Sequence, residues 1–178
     1  VDEILGEAVK LYYRELERIR DEVRSKLDSY PVVRTAIGGI ESDEHNLIKH
    51  FVVKSLVDRG FLKEDIETEI QLGEVVPDVY VRSKNLAIEV ETLFGKGSNS
   101  VDKLRDEILD YPSNFNLWIV MENFTMFLHL KELFRWRNWF RKEGRSVEFY
   151  TLDLKNRRLV PIEEFVKDVL KAFRVVVE

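Results

Sequence analysis

The chain has 178 residues, 44% of them hydrophobic and 34% charged, with a net charge of -5 and no cysteine. That is enough apolar content for one domain with a full core and an appended element. The composition excludes disulfides, thiol chemistry and cysteine-based zinc sites, and it argues against a uniformly basic coat for nucleic acid. No apolar run reaches about 18 residues and no secretory signal pattern is present, so the sequence reads as cytoplasmic, with no membrane partner. The first residue is Val1 rather than Met, which suits a chain cut from a longer protein whose other domains are then partners.

In chain order, residues 2–29 predict one long helix, because Leu5, Val9, Tyr12, Leu16, Ile19, Val23 and Leu27 recur at helical spacing. Packing of this narrow stripe on the body of the domain is favoured over its use in a homodimer. Residues 1–37 are therefore read as an N-terminal helix and connector, and 38–178 as the main domain. Ser42 or Asp43 caps a second helix over 43–59, with Leu47, Ile48, Phe51, Val52, Ser55 and Leu56 on its buried face and Gly60 as its stop. Residues 66–72 alternate as a first strand. Turns at Gly73-Glu74 and Ser83-Lys84-Asn85 then lead to a strand starting near Asp78 and another through Glu89.

A third helix is predicted from about Asn99 to Asp110, and the apolar run Leu117–Met121 suits a strand covered on both faces. The basic and aromatic stretch 124–145 carries a helical stripe of Leu130, Leu133, Trp136 and Phe140. Its aromatics are read as core, leaving Arg137 and Arg141 to meet phosphate. A strand over 147–152, a turn at Asn156 and a helix over 161–173 with Pro161 in its first turn complete the chain.

The chemistry gathers around Pro77-Asp78 and Glu89-Val90-Glu91. Side chains alternate along a strand, so Glu89 and Glu91 point the same way, beside Asp78 at the entry of the neighbouring strand. Carboxylates crowded in this way repel, and they are relieved by holding a proton or a divalent cation.

These residues, within the order helix, three strands, helix, strand, resemble the PD-(D/E)xK nuclease superfamily over roughly residues 40 to 122. The resemblance implies an α/β fold with a restriction-endonuclease-like αβββαβ core, a mixed central sheet flanked by helices. It implies Mg2+- or Mn2+-dependent hydrolysis of DNA phosphodiester bonds. Asp78 and Glu89 match the metal-holding acids, the backbone carbonyl of Val90 joins them, and Glu44 resembles the glutamate that the first core helix contributes. The competing reading of Glu44 is an exposed acid favoured by the helix dipole. Glu91 stands where the family usually has lysine, and is read as a ligand to a second ion or as the base. Lys96, between Gly95 and Gly97, is the candidate for the missing positive charge, with Lys49, Lys54 and Lys103 competing for that role. His45 and Ser98 are read as phosphate contacts. The alternative function is a catalytically silent module of the same fold, serving nucleic-acid binding or protein assembly.

Overall fold

Six strands form one mixed sheet in the computed structural model, which describes residues 2–36, 41–92 and 100–173. They lie side by side in chain order: β1 (Ile66–Thr68), β2 (Val79–Val81), β3 (Leu86–Val90), β4 (Asn116–Val120), β5 (Ser146–Asp153) and β6 (Arg158–Pro161). β1, β2 and β3 make an antiparallel meander, β3, β4 and β5 run parallel, and β6 returns antiparallel. Each parallel pair requires a crossover. α3 (Ser100–Asp110) supplies the first, and α4 (Asn123–Leu128) with α5 (Leu130–Lys142) the second. The anticipated order of helix, three strands, helix, strand runs from α2 (Asp43–Asp58) to β4.

Alternation along β3 explains the layers. Leu86, Ile88 and Val90 join one core with α1 (Asp2–Ser25) and α2, while Ala87 faces the opposite core with α3 and α5. β4 is covered on both sides, as its unbroken apolar run implies: Leu117 and Ile119 point to α3 and α5, and Val120 points to α2. Among the described residues, no helix is long and apolar enough to cross a membrane.

α2 starts at Ser42, whose Oγ accepts the His45 N–H at 3.2 Å, with Asp43 and Glu44 complementing the helix dipole in the first turn. Replacing Ser42 by alanine is expected to cost about 1 kcal/mol, read as a lower midpoint in thermal unfolding. The six residues expected on its buried face are buried, but so are Lys49, His50, Val53 and Lys54. α2 is a central helix, because Leu16, Ile19 and Val23 of α1 close over its outer side. A buried cation must then find partners. Lys54 does so by donating to the Tyr30 hydroxyl at 2.9 Å and pairing with Asp58 at 3.1 Å.

Three boundaries differ from expectation. α1 ends at Ser25 rather than at residue 29, and the N-terminal part of its stripe, including Leu5 and Val9, is exposed. β1 stops at Thr68 because Glu69 takes a left-handed backbone (φ 53°), which ends a strand. β6 was not anticipated, and Pro161 closes it and caps α6 (Ile162–Ala172) rather than sitting inside that helix.

Candidate metal centre

The meander delivers its acids to one place. Val79 pairs with Ile88 across the antiparallel ladder, so Asp78, one residue earlier, lies level with Glu89, one residue later. Asp78 is buried, and both of its oxygens are engaged. Oδ2 accepts the Val90 N–H at 2.7 Å, and Oδ1 lies 2.7 Å from Nε2 of His45. His45 reaches it from the first turn of α2.

Lys49, fully buried one turn further along α2, sits within the same cluster. Its Nζ lies 2.5 Å from Glu41 Oε1 and 3.7 Å from Asp78 Oδ1, pairs with Glu69, and donates to the Arg34 carbonyl at 3.1 Å. Glu69 reaches Lys49 from the residue that breaks β1, which gives the left-handed turn a purpose. Glu41 is held from its other oxygen by the Ala36 N–H at 3.3 Å and the Asn46 amide at 3.2 Å.

The titrations follow from this crowding. Burial raises the Asp78 carboxyl, but the His45 hydrogen bond and charge outweigh it and leave Asp78 below the usual range. Burial works against the His45 imidazolium and the Lys49 ammonium, yet both pKa values end above their ordinary values. Asp78 decides this for His45, and the bonds to Glu41 and Glu69 decide it for Lys49. Glu89 goes the other way. Burial first and the Asp78 charge second push its carboxyl well above the usual range, against the lowering effect of the hydrogen bond that it accepts from the Tyr111 hydroxyl.

An acid raised in the folded state stabilises the fold below its unfolded pKa, and that contribution is lost as pH rises through the folded pKa. Glu89→Gln is therefore expected to raise the metal-free melting temperature at neutral pH, with the gain vanishing near pH 4. Melting curves of the two proteins across that range check the sign.

The structure brings together only part of the expected set. Asp78, Glu89 and Glu91 are close enough for the charges of Asp78 and Glu91 both to raise Glu89. Val90 contributes its N–H to Asp78. His45 is at the centre, held by Asp78.

Other residues stand apart from the sequence reading. Glu44 points away, toward Tyr12, Tyr13 and Glu122, and burial with the Glu122 charge raises its carboxyl. Glu44 keeps the first-turn place that suits the helix dipole but is half-buried rather than exposed, and it is Glu41, not Glu44, that lies with His45 and Asp78. Arg137 is buried and paired with Glu148 at 3.0 Å and with Glu163, so α6 and β5 take the charge that the sequence reading left for phosphate. Arg141 is half-exposed and also pairs with Glu148. Lys96 and Ser98 lie outside the described residues.

Glu41, Glu69 and Tyr111 were not anticipated. One signal could have found the first of them: Glu41, His45 and Lys49 recur every four residues, a spacing that keeps side chains on one side of a helix. A cleft of about 280 Å3 opens beside Glu89 and Glu91, walled by Glu107, Ile108, Tyr111 and Leu117.

Glu41, His45 and Asp78 each offer one ligand atom, and these atoms lie within 4.8 Å of one another. Two carboxylate oxygens and one imidazole nitrogen make a donor set able to hold a metal ion. No protein-family model, no curated protein and no solved structure matches the chain.

Proposed function

We propose that this chain is a divalent-metal-dependent nuclease domain acting on DNA, built on a restriction-endonuclease-like core. One observation carries the reading: Asp78 and Glu89 are set level on adjacent strands, with Glu41 and His45 brought to Asp78 from the start of α2. Asp78, Glu41 and His45 would hold Mn2+ or Mg2+, with Glu89 beside them. When bound, the ion supplies a water of lowered pKa and offsets charge on the phosphate. The chain supplies the rest. The Val90 N–H fixes Asp78 with one oxygen turned to His45. Glu91, on the strand face of Glu89, accepts the proton of the attacking water. Lys49, 3.7 Å from Asp78, provides from α2 the positive charge that the tripeptide position 91 lacks.

The test is incubation of labelled duplex, single-stranded, flap and junction DNA with the protein in Mn2+, in Mg2+ and in chelator. Cleavage in metal alone is the expected result. Every DNA remaining intact under both metals contradicts the reading.

The silent-module alternative is favoured by a separate observation. Ile4, Leu5, Val9 and Leu11 leave an apolar flank of α1 exposed, suited to a second copy. A stable dimer by sedimentation, in a protein without metal affinity, supports that alternative instead.

A further inference from the structure

We propose that the outer face of α5 is a docking surface for a single nucleic-acid strand, with phosphates along Lys131, Arg135 and Lys142 and an unpaired base against Trp139. The surface is separate from the metal centre, so the proposal does not depend on catalysis.

α5 turns Leu133, Arg137 and Phe140 into the core and leaves Lys131, Arg135, Asn138, Trp139, Arg141 and Lys142 exposed. At 100° per residue Lys131, Arg135 and Lys142 fall on one line, and Lys131 to Lys142 spans ~16 Å at a rise of 1.5 Å per residue, long enough for several phosphates. Glu132 and Glu143 fall beyond Trp139, on the flank away from the lysines.

What separates these cations from their neighbours is pairing. Arg137 and Arg141 of the same helix are taken by Glu148 and Glu163. Among the described residues, Lys131, Arg135 and Lys142 have no acidic partner within 4.0 Å. In a chain of net charge -5, an uncompensated basic line is a local feature that attracts a polyanion.

Further cationic charge gathers where α3 meets α5. The guanidinium groups of Arg135 and of Arg105 from α3 each lie 5.1 Å from the Trp136 ring, so two like charges share one indole. Arg105 pairs with its sequence neighbour Asp106, at 2.7 Å.

Trp139 decides the form of the strand. It is 36% exposed at the edge of the basic line and is held by edge contacts with Trp136 and Phe140, at ring separations of 5.8 and 5.0 Å. A fixed, half-open indole beside a phosphate track stacks on a base, and only an unpaired base offers its face. In the chain the surface follows β4 through α4, and β3, β4 and β5 are parallel.

Fluorescence anisotropy of labelled single-stranded and duplex oligonucleotides, in chelator so that nothing is cleaved, tests the surface. The wild type is expected to bind the single strand more tightly than a duplex of equal length. The triple variant K131Q/R135Q/K142Q, all at exposed positions, is expected to lose at least tenfold in affinity at about 0.1 M salt. It should also flatten the slope of log K against log salt by about 2, the value for three lost phosphate contacts on a single strand. Trp139→Ala is expected to weaken single-strand binding about fivefold or more with the salt slope unchanged. The control triple K10Q/R14Q/R18Q on α1 should bind as the wild type does, and melting curves confirm that every variant is folded.

A folded triple variant that binds as the wild type, or a wild type that binds neither oligonucleotide, overturns the proposal. So does a wild type that ignores both but binds phosphatidylcholine–phosphatidylserine vesicles through these residues. The outcome is separable from the nuclease reading. A protein that binds a strand but never cleaves loses the catalysis and keeps the surface, whereas cleavage and binding unaffected in the triple variant do the reverse.

Discussion

Lys49→Met is expected to destabilise the metal-free protein by about 3–5 kcal/mol, the usual cost of removing one partner from a buried ion cluster. Lys49 is fully buried and meets Glu41, Glu69 and Asp78 at once. Without the ammonium, three carboxylates face one another with only His45 among the described residues to offset them. Two further results separate this cause from lost packing, which methionine largely preserves. Adding Mn2+ should restore much of the deficit, because the ion replaces the missing charge where Glu41 and Asp78 converge. Lowering the pH should also shrink it, since carboxylates left unpaired have raised pKa values and their repulsion grows as pH rises through them. Urea unfolding of both proteins, with and without Mn2+ and at two pH values, reads all three effects. An unchanged stability in the variant would mean that the cluster is not held by Lys49.

Asp78→Asn should have the largest effect on activity, a loss on the order of 10²- to 10³-fold or more in cleavage rate. The amide keeps the shape and still accepts the Val90 N–H through its oxygen, so the fold is retained while a charged ligand is lost. The same change should be visible without substrate. Asp78 is what holds the His45 pKa above its ordinary value against burial, so that pKa should fall in the variant. A raised histidine contributes stability that is present below its unfolded pKa and is lost as pH rises through the folded one. The wild type should therefore lose stability across that window, and the variant should lose less. Proton NMR titration of the imidazole gives the pKa in each protein, and an unshifted His45 would break the link between the two residues.

Much of the frame could be read from residue patterns. Alternation in Leu86–Val90 separated the two cores, the apolar run at Leu117–Met121 marked a strand buried on both faces, and Ser42 marked the start of α2. The pairing of Asp78 with Glu89 also followed from local rules, because strand alternation and one tight turn fix which side chains meet. What could not be read depends on partners distant in the chain. Nothing local to Arg137 announces that Glu163 will neutralise it, and nothing local to Glu69 announces a left-handed backbone that carries its carboxylate to Lys49. Burial of Lys49 and Lys54 was hidden for a similar reason. A helix that will be covered by another helix does not advertise its second buried face in its own periodicity.

Glu41, His45 and Asp78 offer three ligand atoms within 4.8 Å of one another, and in the proposed function they hold the divalent cation. Electron paramagnetic resonance reads it most directly, because free Mn2+ gives a sharp signal that disappears on binding. Titrating Mn2+ into the wild type and the Asp78→Asn variant should show saturable loss of the free signal in the wild type and little in the variant. If the wild type leaves the Mn2+ signal untouched, Lys49 is the permanent cation of the cluster, the metal-dependent nuclease is contradicted, and the module reading takes its place.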